Sequence, residues 1–191
     1  MMTGKTTDYL SPFKILVVEP NPLMRQVTRN LLMLLGARKI IETMEGNEAF
    51  AHIEGGDIDI VLSEWYLAGS RGIDLVWWLR QMQTDTRYTP FVMVTSQTRM
   101  ENIVIARNLG ITEFVAKPFS AHSLISRIRE IVERPRPFVQ TGKYFGPDRR
   151  RRAMDTSELN NRRRNAAPLV AGKDLTQDQI DDVVSGGGFR R

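Results

Sequence analysis

Between residues 13 and 133 the chain repeats one pattern five times: a short apolar run, then a longer stretch with helical spacing. Phe13–Val18 is apolar almost throughout, as a strand buried on both faces must be. Pro22 to Leu35 follows, with Leu23, Val27, Leu31 and Leu34 at helical spacing and Gly36 as its stop. The next pairs are 39–43 with 47–53, 58–63 with 72–83, 90–95 with 99–109, and 113–116 with a helix capped by Ser120 and running to Glu133. Five such units with short links predict an α/β fold: a five-stranded parallel sheet with helices on both faces. Sites in such sheets form in the crevice at the carboxyl ends of the strands.

Composition narrows the chemistry. With no cysteine, disulfides and thiolate sites are excluded, and His52 and His122 are too few for a histidine metal cluster. No apolar run approaches the roughly 18 to 20 residues of a membrane span. Residues 1–12 are polar and lack a signal-peptide core. The expectation is a soluble, cytoplasmic protein that does not insert in membranes. Charge is uneven: residues 1–133 hold 14 Lys/Arg against 15 Asp/Glu, whereas residues 134–191 hold 13 against 7. Arg134-Pro135-Arg136-Pro137 marks the change, since two prolines stop a helix. The parts expected are a flexible 1–12, a domain over 13–133, an Arg-rich and largely disordered basic tail over 134–172, a short helix within 173–185, and a flexible 186–191.

The crevice rule selects the residues after each strand. Glu19 and Pro20 follow the first, Glu64 the third, Thr95 the fourth, and Lys117-Pro118 the fifth. In this order and at these intervals the chain resembles a CheY-like response-regulator receiver domain over residues 13–133. That resemblance implies two acids after strand one and an aspartate after strand three, which hold Mg²⁺ while the aspartate accepts a phosphoryl group. Thr95 and Lys117 match the phosphate-contact positions, Phe114 the switch aromatic, and Lys117–Pro118 a bond that is usually cis. Two positions depart. Pro20 offers no side-chain oxygen, and Glu64 stands where aspartate is expected, its carboxylate one methylene farther out. In-line transfer tolerates little displacement, about 1 Å costing around a hundredfold. The expectation is an atypical receiver, not an enzyme, without a Mg²⁺ site, acting through phosphorylation-independent protein contacts. A working phosphoacceptor receiver in a phosphorelay is the alternative. Glu64 either supplies a standing negative charge paired with Lys117 or is one half of a leftover ion pair.

The tail combines aromatics, a Gly-Pro turn signal and arginine clusters: Tyr144, Asp148, Arg149, Arg150, Arg151 and Arg152, then Arg162, Arg163 and Arg164. Guanidinium groups bind phosphate in a fork, grip guanine and stack on bases. The Tyr144–Arg152 stretch is similar to the arginine-rich extension of CheY-like cyclic di-GMP effectors. Arg152 and Asp155 add an R-x-x-D spacing. The tail's candidate ligands are thus cyclic di-GMP, nucleic acid, or an acidic protein surface.

Partner surfaces are suggested elsewhere. Trp77 and Trp78 fall largely outside the inward positions of their helix, where Leu75 or Val76 and Leu79 point inward; one tryptophan packing over the helix edge is the plainer outcome. Met100, Ile103, Val104 and Ile105 make the fourth helix apolar on more than one face. The resemblance implies that this helix, the fifth strand and the last receiver helix meet a partner, such as a kinase or a flagellar or other effector, or a second copy. Residues 174–184 read as a short helix, marginal alone and expected to dock on the receiver or on a partner.

Overall fold

The computed structural model describes residues 8–142, 144–149 and 174–185. Its main sheet has five strands, all parallel, in the order β2-β1-β3-β6-β7. These are β1 (Lys14–Val18), β2 (Lys39–Thr43), β3 (Ile60–Ser63), β6 (Phe91–Thr95) and β7 (Glu113–Ala116). Between them run α1 (Pro22–Leu34), α2 (Gly46–Glu54), α3 (Gly72–Gln81) and α4 (Met100–Leu109), and α5 (Ala121–Glu133) closes the series.

Strand alternation splits the interior into two cores. Leu16, Val18, Val61, Phe91 and Met93 face one way, with Ala49, Ile53, Val76, Leu79 and Ile103 from α2, α3 and α4. Ile15, Val17, Leu62, Val92 and Val94 face the other, with Leu32, Leu124 and Ile128 from α1 and α5. Local sequence fixes the helix ends. The Asn21 side chain caps α1 by accepting from the Leu23 and Met24 amides. Ser120 caps α5 in a reciprocal arrangement with Ser123. Gly110 ends α4 in the left-handed region at φ 94°.

Three features lie outside the fivefold pattern. A small hairpin, β4 (Tyr66–Leu67) with β5 (Ser70–Arg71), turns at Gly69 directly after the third strand. A second antiparallel pair, β8 (Phe138–Thr141) with β9 (Tyr144–Pro147), follows the Pro135–Pro137 stretch. Within the stretch expected to be largely disordered, 134–172, residues 138–147 thus form a hairpin: Phe138 and Phe145 join Tyr88 in a ring cluster, with centroids 5.3 to 5.5 Å apart. It also moves the turn. Gly142, at φ 51°, makes it, whereas Gly146 and Pro147 lie within β9. Finally, α6 (Gln177–Val184) is capped by Thr176 and Gln179 and buries Leu175, Ile180, Val183 and Val184 against the first core. No helix among the described residues is long and apolar enough to cross a membrane.

Candidate functional site

Glu19 directly follows β1 and Glu64 directly follows β3, neighbours because the two strands pair directly. Lys117 leaves the end of β7, its amide donating to the Thr95 carbonyl at 2.8 Å, followed by a cis Lys117–Pro118 bond. Its ammonium reaches both acids. It bonds the Glu64 carboxylate at 2.6 Å and also contacts Glu19 Oε2. All three side chains are largely buried. The remaining carboxylate oxygens are satisfied locally: Glu19 Oε1 accepts from the Asn21 amide at 3.0 Å, and Glu64 Oε1 from its neighbour Trp65 at 2.6 Å. One ammonium and two carboxylates leave a net charge of −1, enclosed in little space. The void that Glu19 and Glu64 line with Val17, Val18, Thr28, Leu62, Ser63 and Val94 is about 10 Å³, the room of about one water.

The other crevice residues stand close by in different roles. Thr95 is fully buried, and its hydroxyl accepts from the Gln97 amide at 3.1 Å. Pro20 is half-buried and contributes only its carbonyl, 3.5 Å from the Arg25 guanidinium. Phe114 is buried in the first core. Gly72 lets the loop after β3 close: its amide donates to the Trp65 carbonyl at 2.8 Å, and a Cβ there would strike the Glu64 carbonyl. The structure therefore brings Glu19, Glu64, Thr95 and Lys117 to one crevice.

The tail residues form a second, separate place. Tyr144, Asp148 and Arg149, with Val139 and Thr141, line a cleft of about 200 Å³ on the β8–β9 hairpin. The Arg149 guanidinium lies 4.0 Å from the Tyr144 ring centroid, a cation–π distance. Arg150, Arg151, Arg152, Asp155, Arg162, Arg163 and Arg164 lie outside the described residues.

Sequence reading missed what anchors this hairpin. Arg80 is buried on α3 and donates to the carbonyls of Gly110, Arg87 and Thr89 at 2.9, 2.6 and 2.9 Å. Its guanidinium also faces the Phe138 ring at 5.0 Å, and Arg87 stacks on Phe145 at 3.5 Å. Burial pushes Arg80 down to about 9, still leaving a cation at neutral pH. The hairpin's own sequence held a signal. Phe138–Thr141 and Tyr144–Pro147 flank Gly142-Lys143, the length of a two-residue hairpin loop beginning with glycine.

On the α3 surface Trp78 packs on Phe50, while Trp77 remains exposed. The face expected to meet a partner or second copy is covered: α6 lies across α4 and β7.

A doubly wound parallel sheet that gathers acids, a hydroxyl and a lysine at its carboxyl edge is the architecture of flavodoxin-like signalling modules. Residues 15–129 match the response regulator receiver domain family, and the chain belongs to it. Among its relatives, the chemotaxis protein CheY of Pseudomonas aeruginosa is 35% identical over 123 residues, covering 63% of this chain and 97% of the relative. The chemotaxis protein CheY4 of Vibrio cholerae superposes with a TM-score of 0.57 at 25% identity, over 62% of this chain and 98% of that one. The receiver domain of the sensor histidine kinase PA1611 from Pseudomonas aeruginosa, solved with magnesium in its active-site cleft, shares the fold. Its TM-score is 0.58 at 23% identity, over 63% of this chain and 98% of that one.

Proposed function

We propose that this receiver is a pseudo-receiver: a cytoplasmic regulator that signals by protein contacts and neither accepts a phosphoryl group nor acts as an enzyme. The observation that carries this reading is the Lys117 ammonium bonded to both crevice acids. The longer Glu64 side chain reaches that ammonium, giving the pocket a standing ion triad where the family has a phosphoacceptor. A carboxylate held to a buried cation must give up that pair to attack, and breaking a buried pair from one side costs about 3 to 5 kcal/mol.

Mg²⁺, which the family uses, does not fit this donor set. A hard divalent cation seeks about six oxygens in near-octahedral order. Here two carboxylates are committed to Lys117, Pro20 brings no side-chain oxygen, and no cluster of three or more acids or histidines able to hold a metal exists among the described residues. The test is a variant series treated with acetyl phosphate and Mg²⁺ and weighed intact. Glu64→Asp alone should stay unlabelled, whereas Glu64→Asp with Pro20→Asp should gain a phosphoryl group. Full Mg²⁺-dependent labelling of the single variant would refute the role given to Pro20.

A second reading concerns the tail and is favoured by the Tyr144–Arg149 stack. The cleft there is smaller than the roughly 300 to 1,000 Å³ that whole small molecules occupy. It suits one base or one phosphate, with the remaining arginines gripping the rest of a guanine dinucleotide such as cyclic di-GMP. Titration calorimetry of cyclic di-GMP into the full chain should show saturable binding that Arg149→Ala weakens about tenfold or more. Binding of single-stranded nucleic acid with steep salt dependence instead would assign the arginines to a polyanion.

A further inference from the structure

Strand β7 is an edge of the sheet, paired with β6 on one side only. Its free side carries unpaired peptide groups of the kind that attract another strand. Here the side chain of Gln177 meets them. The Ala116 amide donates to Gln177 Oε1 at 2.7 Å, and Gln177 Nε2 donates to the Phe114 carbonyl at 3.0 Å. A primary amide thus takes the place of one peptide unit of an added strand.

The rest of α6 follows the same face. Gln177, Ile180, Asp181 and Val184 stand at i, i+3, i+4 and i+7, one stripe of the helix. Ile180 is fully buried and Val184 nearly so. Asp181 pairs with Arg127 of α5 and accepts from Gln177 Nε2 at 2.9 Å. Arg107 of α4 donates to the Val183 carbonyl at 3.0 Å, closing the helix C-terminus. Ahead of the helix, the Leu175 amide donates to the Thr98 carbonyl at 3.0 Å. Two polar groups on an otherwise apolar stripe are an odd choice for mere core filling. They are costly on any surface that does not answer them, and so specify this one.

We propose that α6 is a resident ligand in cis on the α4–β7–α5 face, the face through which receivers meet partners, and that partner helices with the same acidic amphipathic pattern must displace it. The partner is defined by chemistry: an amide side chain, then an aliphatic residue three positions on and an acid four on, with a second aliphatic at the seventh. The release is feasible. An eight-residue helix is marginal without its dock, so α6 holds only through these contacts. The 24 residues from 150 to 173 separate it from the hairpin. Being joined covalently to the domain, α6 acts at an effective concentration that a longer or better-matched helix in trans can exceed. The proposal deepens the reading of a protein-contact regulator, but its test uses no phosphodonor, so either can fail alone.

The probe is a fluorescent peptide of residues 173–185, read by anisotropy against the full chain. Wild type should bind it weakly, because the face is taken. Full-length Ile180→Asp should bind it at least about tenfold more tightly. Arg127→Glu in that background should abolish the gain, and a peptide carrying Asp181→Arg should restore it. Equal binding to wild type and Ile180→Asp would overturn the proposal. So would global unfolding of both Ile180→Asp and the gentler Gln177→Ala, by circular dichroism, since α6 would then be an inseparable part of the core.

Discussion

Removing the Lys117 ammonium would leave Glu19 and Glu64 facing each other, both largely buried, without a cation between them. Lys117→Met should therefore destabilise the chain by about 3 to 5 kcal/mol, the cost of breaking a buried pair from one side. Adding Glu64→Gln should recover much of that loss, because the remaining partner no longer carries charge. Urea denaturation of both variants gives the comparison. Arg80 is the other residue on which much converges, since it satisfies three carbonyls from two otherwise separate segments, 87–89 and Gly110. Arg80→Met would orphan all three, and the same denaturation should show a loss of about 3 kcal/mol or more. The Arg80 role is not visible at the level of residue type. An arginine at the end of an amphipathic helix reads as solvent-facing, and only the fold shows that Gly110, Arg87 and Thr89 surround it.

The β8–β9 hairpin docks through Phe138 and Phe145 and through close approach to Gly110, where a Cβ would lie 2.7 Å from the Phe145 carbonyl. Gly110→Ala meets both that contact and a left-handed backbone. It should cost about 1 to 2 kcal/mol and speed hydrogen exchange in β8 and β9 while β1, β3 and β6 stay protected. The elements that could be read from sequence were those with strong periodicity. Strands β2 and β7 fall on their expected residues, and the α1 and α5 caps follow from Asn21 and Ser120. The hairpin was obscured because arginine-rich composition outweighed a short β pattern whose partner surface, Tyr88 with Arg87, lies some fifty residues upstream. That α6 docks was expected; where it docks was not, because the matching groups on β7, α4 and α5 come together only in the tertiary fold.

At the scale of the molecule, one domain joins three surfaces through β7. Lys117 at its end fills the crevice, Phe114 within it packs in the core, and its free edge holds α6. The five-unit repeat was plain in the sequence because parallel strands buried on both faces leave continuous apolar runs. The crevice residues were legible for the same reason, their places being set by strand ends. The pairing of Glu64 with Lys117 was expected, but not that the same ammonium also bonds Glu19, which depends on how far the three side chains extend toward each other. The measurement that bears most directly on the pseudo-receiver is intact mass of the wild-type full chain after incubation with acetyl phosphate, with and without Mg²⁺. An unchanged mass in both conditions is the predicted result. A Mg²⁺-dependent gain of one phosphoryl group, mapped to Glu64, would contradict the account.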